Sequence, residues 1–206
     1  MAGCQIHDGF QKAWGEISTN VESVVAFAKS LYPSFRVVAT GHSLGGAIAT
    51  IAAASLRQSG HAVDLYTFGS PRVGNAAFAD FVTNQTGAEF RVTHVNDLVP
   101  RLPPLVLDYR HTSPEYWLSD GNATTVNYGV NDVKICVGDA NTGCNGEDLL
   151  FSIEAHMYYL LPIAACSGTK RAVSDINDEE LEARLSNWAE LDRQLSAQLG
   201  QATPMS

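Results

Sequence analysis

The sequence predicts an α/β fold: a mostly parallel central sheet with helices on both faces. Three observations carry that expectation. Strand-like apolar runs at Phe35–Thr40, Val63–Phe68 and Phe90–Val95 alternate with helical segments, and a β-α-β-α-β order favours parallel pairing. The run between the first two strands, "LGGAIATIAAASLRQS", is small and apolar, as suits a helix packed closely on a sheet. A chain of 206 residues is long enough to bury a proper core as one compact domain.

Taken in order, Phe10, Trp14, Ile17, Val21, Val24, Val25, Ala28 and Leu31 recur every three or four residues and predict an amphipathic helix over 10–31, ended by Pro33. Phe35–Thr40 follows as a buried strand. Leu44–Ser59 is the close-packed helix, with Gly60 as its stop. Val63–Phe68, a short helix over Asn75–Thr83, and Phe90–Val95 complete the alternation. After the proline-rich loop "VPRLPP", shorter strands are expected near Tyr116–Leu118 and Val133–Val137, then a helix around Glu154–Ala165. The last forty residues differ in character. Leu181, Leu185, Trp188, Leu191, Leu195 and Leu199 form one stripe, Asn177 and Glu180 fit a capping pattern, and acidic residues dominate the first half. The chain thus divides into a domain over 1–166 and an acidic amphipathic helical extension over 167–206. That helix either lays its stripe on the domain or offers it to a second copy or a partner, so self-association stays open.

Several function classes are disfavoured. The net charge of −9 leaves no basic stripe for nucleic acid, and no apolar run reaches the length of a membrane span. The cysteines, Cys4, Cys136, Cys144 and Cys166, lack the spacing of a zinc site, so no metal is expected. Cys136 and Cys144 bracket "CVGDANTGC", a loop able to close into a small disulfide ring. Asn84 and Asn122 stand in N-glycosylation patterns. Disulfide and glycosylation patterns suit an oxidising, secretory setting, although "AGCQIHDGF" after Met1 has neither the basic segment nor the apolar core of a signal peptide.

One stretch carries chemistry. In "VVATGHSLGGA" a strand runs into a helix through Gly41-His42-Ser43-Leu44-Gly45. A serine hydroxyl is a poor nucleophile unless a base and an orienting acid stand beside it. On an α/β-hydrolase sheet the serine is lifted clear of the strand by a tight, strained turn, and Gly41 and Gly45 are the residues such a turn requires. The helix that opens at Leu44 aims its free N–H groups at the same place, which suits an oxyanion. The fold demands the order Ser, acid, His. Asp97, just after "FRVTHV", is at the carboxyl end of a strand and is the candidate acid, with an Asx turn as its ordinary alternative. Two histidines follow. His156 opens a helix and is better placed than His111 to reach back over the sheet. His42 and His94 read as packing residues.

The segments "TGHSLGGAIAT", "LYTFGSPRVGN", "RVTHVNDLVPRLPP" and "YRHTSPEYW" together resemble the filamentous-fungal class 3 lipases, a secreted family that also includes feruloyl esterases. The likeness runs from about Cys4 to Cys166. It implies an α/β-hydrolase with Ser43 as nucleophile, Asp97 as acid, His156 as base and the Leu44 N–H as one oxyanion donor, working without a cofactor. It further implies a lipase acting on acylglycerols or related esters at a lipid–water interface outside the cell, with a feruloyl or other carboxylesterase as the near alternative. A catalytically silent interaction module is the distant one. In the family a sizeable portion precedes the segment like "CQIHDGFQKAW", carrying the first strands, a second oxyanion donor and the lid. It also carries the cysteines that would pair with positions like Cys4 and Cys166. Read so, this chain is N-terminally incomplete, with its first strand open on one side and its oxyanion hole half present, a loss typically on the order of 10²–10³ in turnover.

Overall fold

The computed structural model describes residues 3–140, 143–147, 150–163 and 178–201. The boundary expected at 166/167, Cys166 and the cap at Asn177 lie outside the described residues. Helix α1 spans Asp8–Leu31, β1 Val37–His42, α2 Leu44–Gln58, β2 Val63–Phe68, β3 Gly74–Asn75, α3 Ala76–Thr83 and β4 Glu89–His94. Then come β5 Tyr109–Arg110, β6 Glu115–Leu118, β7 Val133–Cys136, α4 Ile153–His156 and α5 Asp178–Gln201. The main sheet runs in the order β1-β2-β4-β6-β7, with the first four strands parallel and β7 antiparallel to β6. β3 and β5 form a separate two-stranded ribbon, too short to leave a pattern in the sequence.

The first strand begins and ends two residues later than its apolar run suggests. Pro33–Phe35 is consumed in a turn, closed by the Phe35 N–H to the Tyr32 carbonyl (3.1 Å) and by Lys29 Nζ to the carbonyls of Pro33 (2.6 Å) and Phe35 (2.7 Å). Gly41 and His42 stay in the strand because Thr67 and Phe68 pair with them. At the other end of the chain the helix expected over 154–165 stops at His156. Tyr158 and Pro162 form a β-bridge there, and the Ile163 N–H returns to the Met157 carbonyl (2.9 Å).

Side chains alternate across a strand, so Val37, Ala39, Val63 and Leu65 share one face. They join one core with Trp14, Ala47, Ile51, Ala54, Leu56, Phe78 and Val82, which puts α1, α2 and α3 on that face. Helices lie on both faces, but very unequally. Over the second face the chain places the short α4 and the turn after it, where Tyr159 meets the rings of His42, Phe68 and His94 at the carboxyl ends of β1, β2 and β4. Lower on that face Tyr66, Phe90 and Tyr116 form a ladder, with ring centroids 4.7 and 5.2 Å apart. Val38 and Ile135 on either side of it are more than half exposed. Among the described residues β1 has β2 as its one strand neighbour, so its outer N–H and C=O groups form an edge, as expected.

Towards β6 the first face turns polar. Arg91 on β4 pairs with Glu115 on β6 (3.1 Å), and Thr93 donates to the same carboxylate (2.6 Å). His111 Nε2 donates to the Pro100 carbonyl (2.5 Å). Arg72, buried, donates through Nη1 to the carbonyls of Arg101 (2.7 Å) and Pro103 (2.9 Å) and to Asp192 of α5 (2.6 Å). The second oxygen of Asp192 accepts the Leu105 N–H (2.6 Å). α5 therefore lies against the 101–107 loop, fixed by one buried carboxylate.

Two expected outcomes follow from these contacts. Asp192→Ala leaves a guanidinium buried without its partner and destabilises the fold by about 3–5 kcal/mol in denaturant titrations, whereas replacing Arg72 and Asp192 together by apolar residues costs less. Burial holds His42, His94 and His111 below the ordinary imidazole value, and Arg91 and Arg72 push His111 down further. The folded chain thus binds these protons less readily than the unfolded one. Stability from this source is full above about pH 6.5 and is lost as the pH falls, by at most about 1.4 kcal/mol per pH unit for each histidine. His111→Gln reduces the difference in denaturation midpoint between pH 7 and pH 5.

Candidate active site

Ser43 stands between β1 and α2 with φ 56° and ψ −128°, a left-handed conformation that a residue with a Cβ adopts only under constraint. The constraint is visible: the Ser43 N–H donates to the Phe68 carbonyl (2.9 Å), while the Ser43 carbonyl accepts from Gly46 (2.9 Å) and Ala47 (3.2 Å). The strand is held to β2 up to the very residue where the helix begins. Leu44 and Gly45 open α2, so their N–H groups have no intrahelical acceptor.

The glycines of the turn divide their roles differently from the expectation. A Cβ on Gly41 would run into the backbone of Gly45, so Gly41 is required. A Cβ on Gly45 itself would meet nothing within 4 Å. What the turn needs at 45 is the backbone that Gly41 approaches, and the second steric requirement falls on Gly46, whose Cβ would sit 2.9 Å from that of Ser70. The run of two glycines after Leu44 hid which one is crowded.

Asp97 and His156 meet as the sequence predicts. Asp97 is fully buried at the end of β4, and His156, at the end of α4, is 8% exposed. His156 Nδ1 lies 2.9 Å from Asp97 Oδ2. The same oxygen accepts the Tyr159 hydroxyl (2.5 Å), and Oδ1 accepts the Val99 N–H (2.9 Å). The Asx turn weighed as an alternative for Asp97 is thus made by one oxygen while the other serves the histidine. His111 is elsewhere, bound to the Pro100 carbonyl near Arg72 and Arg91.

Three neighbours of this pair were missed. Tyr159 is buried, and burial together with Asp97 pushes its hydroxyl well above the ordinary tyrosine value, so it keeps its proton and donates it. Its spacing of three from His156 in "HMYYLL" was the available signal. Gly69, at φ 57°, lies so close that a Cβ would be 2.7 Å from the Tyr159 hydroxyl and 3.0 Å from both Asp97 Oδ2 and His156 Cε1. His42 is more than a packing residue. Its ring is 4.4 Å from that of His156, and its Nε2 faces the His156 carbonyl at 2.9 Å. A carbonyl only accepts, so that nitrogen carries the proton. His94 does likewise from β4, with Nδ1 2.9 Å from the Ala155 carbonyl and Nε2 2.6 Å from the Tyr128 hydroxyl. Two strand-end histidines thus hold the main chain of the one-turn helix that ends at His156.

The disulfide expected between Cys136 and Cys144 is present, at the end of β7. The Cys4 thiol donates to the Ala77 carbonyl (3.4 Å). Asn84 and Asn122 are both exposed. Among the described residues no cluster of His, Cys, Asp and Glu is placed to hold a metal ion, and no helix is long and apolar enough to cross a membrane.

Comparison with known proteins agrees with this fold. Residues 1–107 match the family described as Lipase (class 3). The chain is similar to the secreted mono- and diacylglycerol lipase 1 of Fusarium solani, 51% identical over 203 residues, covering 97% of this chain and 60% of that protein. Among solved structures it resembles the mono- and diacylglycerol lipase from Aspergillus oryzae with a TM-score of 0.75 and 35% identity, over 81% of this chain and 63% of that one. A triacylglycerol lipase whose catalytic centre is described as a serine protease triad gives a TM-score of 0.72 and 34% identity, over 81% and 63% of the two chains. The chain thus spans about three fifths of the length of these relatives. With the family match and the α/β-hydrolase architecture in agreement, the chain belongs to the class 3 lipases.

Proposed function

We propose that the chain is a serine carboxylic-ester hydrolase acting on acylglycerols, with Ser43, Asp97 and His156 as its triad. The observation that carries this reading is the buried Asp97–His156 hydrogen bond, whose imidazole lies 4.4 Å from the ring of His42, the residue before a serine on a strained turn between strand and helix. Ser43 Oγ attacks the ester carbonyl and its proton passes to His156 Nε2. Asp97 holds the opposite ring nitrogen and stabilises the imidazolium. The Leu44 N–H, at the positive end of α2, donates to the oxyanion. His156 returns the proton to the departing alcohol, leaving an acyl-serine. Water then attacks the acyl carbonyl, gives its proton to His156, and the acid leaves as Ser43 recovers its hydrogen.

Apolar side chains around the site favour a lipid ester. Leu44, Ile153, Leu160 and Leu161, which flank Ser43 or His156 in the chain, are each more than half exposed. The relatives' names, mono- and diacylglycerol lipases, support partial glycerides as substrates and an extracellular setting, in which Asn84 and Asn122 are accessible to glycosylation.

Labelling with a fluorophosphonate and hydrolysis of p-nitrophenyl butyrate test the reading together. The wild-type protein is expected to label and to turn over, and Ser43→Ala to do neither. A folded wild-type protein that stays unlabelled sinks the assignment. Asp97→Asn, with its shape kept and its charge lost, is expected to lower kcat by roughly 10⁴. Gly69→Ala forces a methyl against Asp97, His156 and Tyr159, and should lower kcat on the order of 10² with labelling slowed in proportion.

A further inference from the structure

Asp97 leaves β4 through a turn the chain does not adopt freely. Val95 has φ 26°, in the left-handed region that a β-branched residue enters only when its surroundings impose it. The Val95 N–H is taken by the Leu118 carbonyl (2.9 Å), and the Asp97 N–H closes the turn on the His94 carbonyl (2.8 Å). The carbonyls of Val95 and Asp97 point away from these bonds and are both met by one side chain. Asn145 Nδ2 donates to the Val95 carbonyl (3.1 Å) and to the Asp97 carbonyl (2.9 Å), while Trp117 Nε1 adds a second donor to Val95 (2.7 Å).

An amide nitrogen has two hydrogens, and here each has one carbonyl. Asn145 is 2% exposed and is held from every other side. Its N–H donates to Glu115 Oε1 (3.2 Å), the oxygen that also binds Thr93. Its Oδ1 and its main-chain carbonyl both accept from the Arg101 guanidinium. The residue before it is Cys144, bonded to Cys136 at the end of β7. The amide therefore reaches the turn from a covalently closed loop some fifty residues away in sequence.

We propose that Asn145 is a positioning residue for the triad: its amide clamps the two carbonyls that flank the Asp97 turn, and the Cys136–Cys144 disulfide keeps the clamp in place. It touches no substrate and acts through Asp97. Without it the strained Val95 turn relaxes, and the carboxylate loses its fixed distance from His156 Nδ1. The inference rests on the triad reading, but its structural consequence exists whether or not the chain turns over ester.

The test joins kinetics with the low-field proton NMR signal of the His156 Nδ1–H, which reports the hydrogen bond to Asp97 without any substrate. Asn145→Ala and the nearly isosteric Asn145→Asp, which lacks both donors, are compared with the wild-type chain on p-nitrophenyl butyrate. The expected result is a kcat lower by about 10- to 100-fold with KM unchanged, and a low-field signal that shifts or broadens in both variants. Reduction of the disulfide in the folded wild-type protein is expected to move rate and signal in the same direction. A folded variant with wild-type kcat and an unmoved signal overturns the proposal. Should neither variant fold, an unchanged rate and signal on reduction overturns it as well, leaving Asn145 a stabilising residue only. A wild-type chain with the low-field signal but no hydrolysis refutes the ester-hydrolase reading instead, and the signal of the variants still decides the clamp.

Discussion

A carboxylate with no exposed surface governs this structure. Asp97 is buried at the point where β4 ends, and a buried charge is tolerated only when its oxygens are occupied. His156, Tyr159 and the Val99 N–H occupy them, and each imposes something on the chain that supplies it. Tyr159 follows His156 by three residues and shares an oxygen with it, while the chain between turns back through the Tyr158–Pro162 bridge and the Ile163 N–H to the Met157 carbonyl. Gly69 must have no side chain, because Asp97, His156 and Tyr159 converge where its Cβ would be. The strand must release Asp97 at once, and it does so through the strained Val95.

The chain meets these demands by borrowing hydrogen-bond donors from the sheet. A helix of four residues has almost no ladder of its own, and its hold on the domain comes from His42 and His94 at the ends of β1 and β4. Both are kept neutral by burial above all. This matters for His42, whose ring lies against the one that must take up a proton in each half of the proposed cycle. A charged neighbour at 4.4 Å would oppose that charge, and the desolvation that lowers His42 removes the competition.

The sequence was most informative where a single period or a single motif decides. The repeat through α1, the close-packed α2 and the strands β2, β4 and β6 lie within a residue or two of their expected bounds, because burial on one face writes itself into composition. The meeting of Asp97, just past β4, with His156 of α4 was legible because the fold fixes the order of the loops at the carboxyl ends of the strands. Gly46, Gly69, Tyr159 and Asn145 were not, since their importance is a matter of three-dimensional approach. Nothing in "FGSPR" marks Gly69 as the residue under an aspartate, and nothing in the disulfide loop marks Asn145 as facing a turn fifty residues earlier. The overlong α4 is the same failure seen from the other side: local helix propensity in "EAHMYYLL" lost to the Tyr158–Pro162 bridge and the return of the Ile163 N–H to the Met157 carbonyl.

The pairing of Arg72 with Asp192 joins residues 120 apart, and that separation says something about the order in which the molecule assembles. Contacts close in sequence, such as β1 with α2 and β2, need only short loops, while this one must close a loop of more than half the chain. During synthesis Arg72 is made long before the carboxylate that completes it. Until then the guanidinium has only the carbonyls of the loop around 101–103, and Leu105 lacks the acceptor for its N–H. The segment just downstream of the buried aspartate therefore completes its hydrogen bonds only once α5 docks on it.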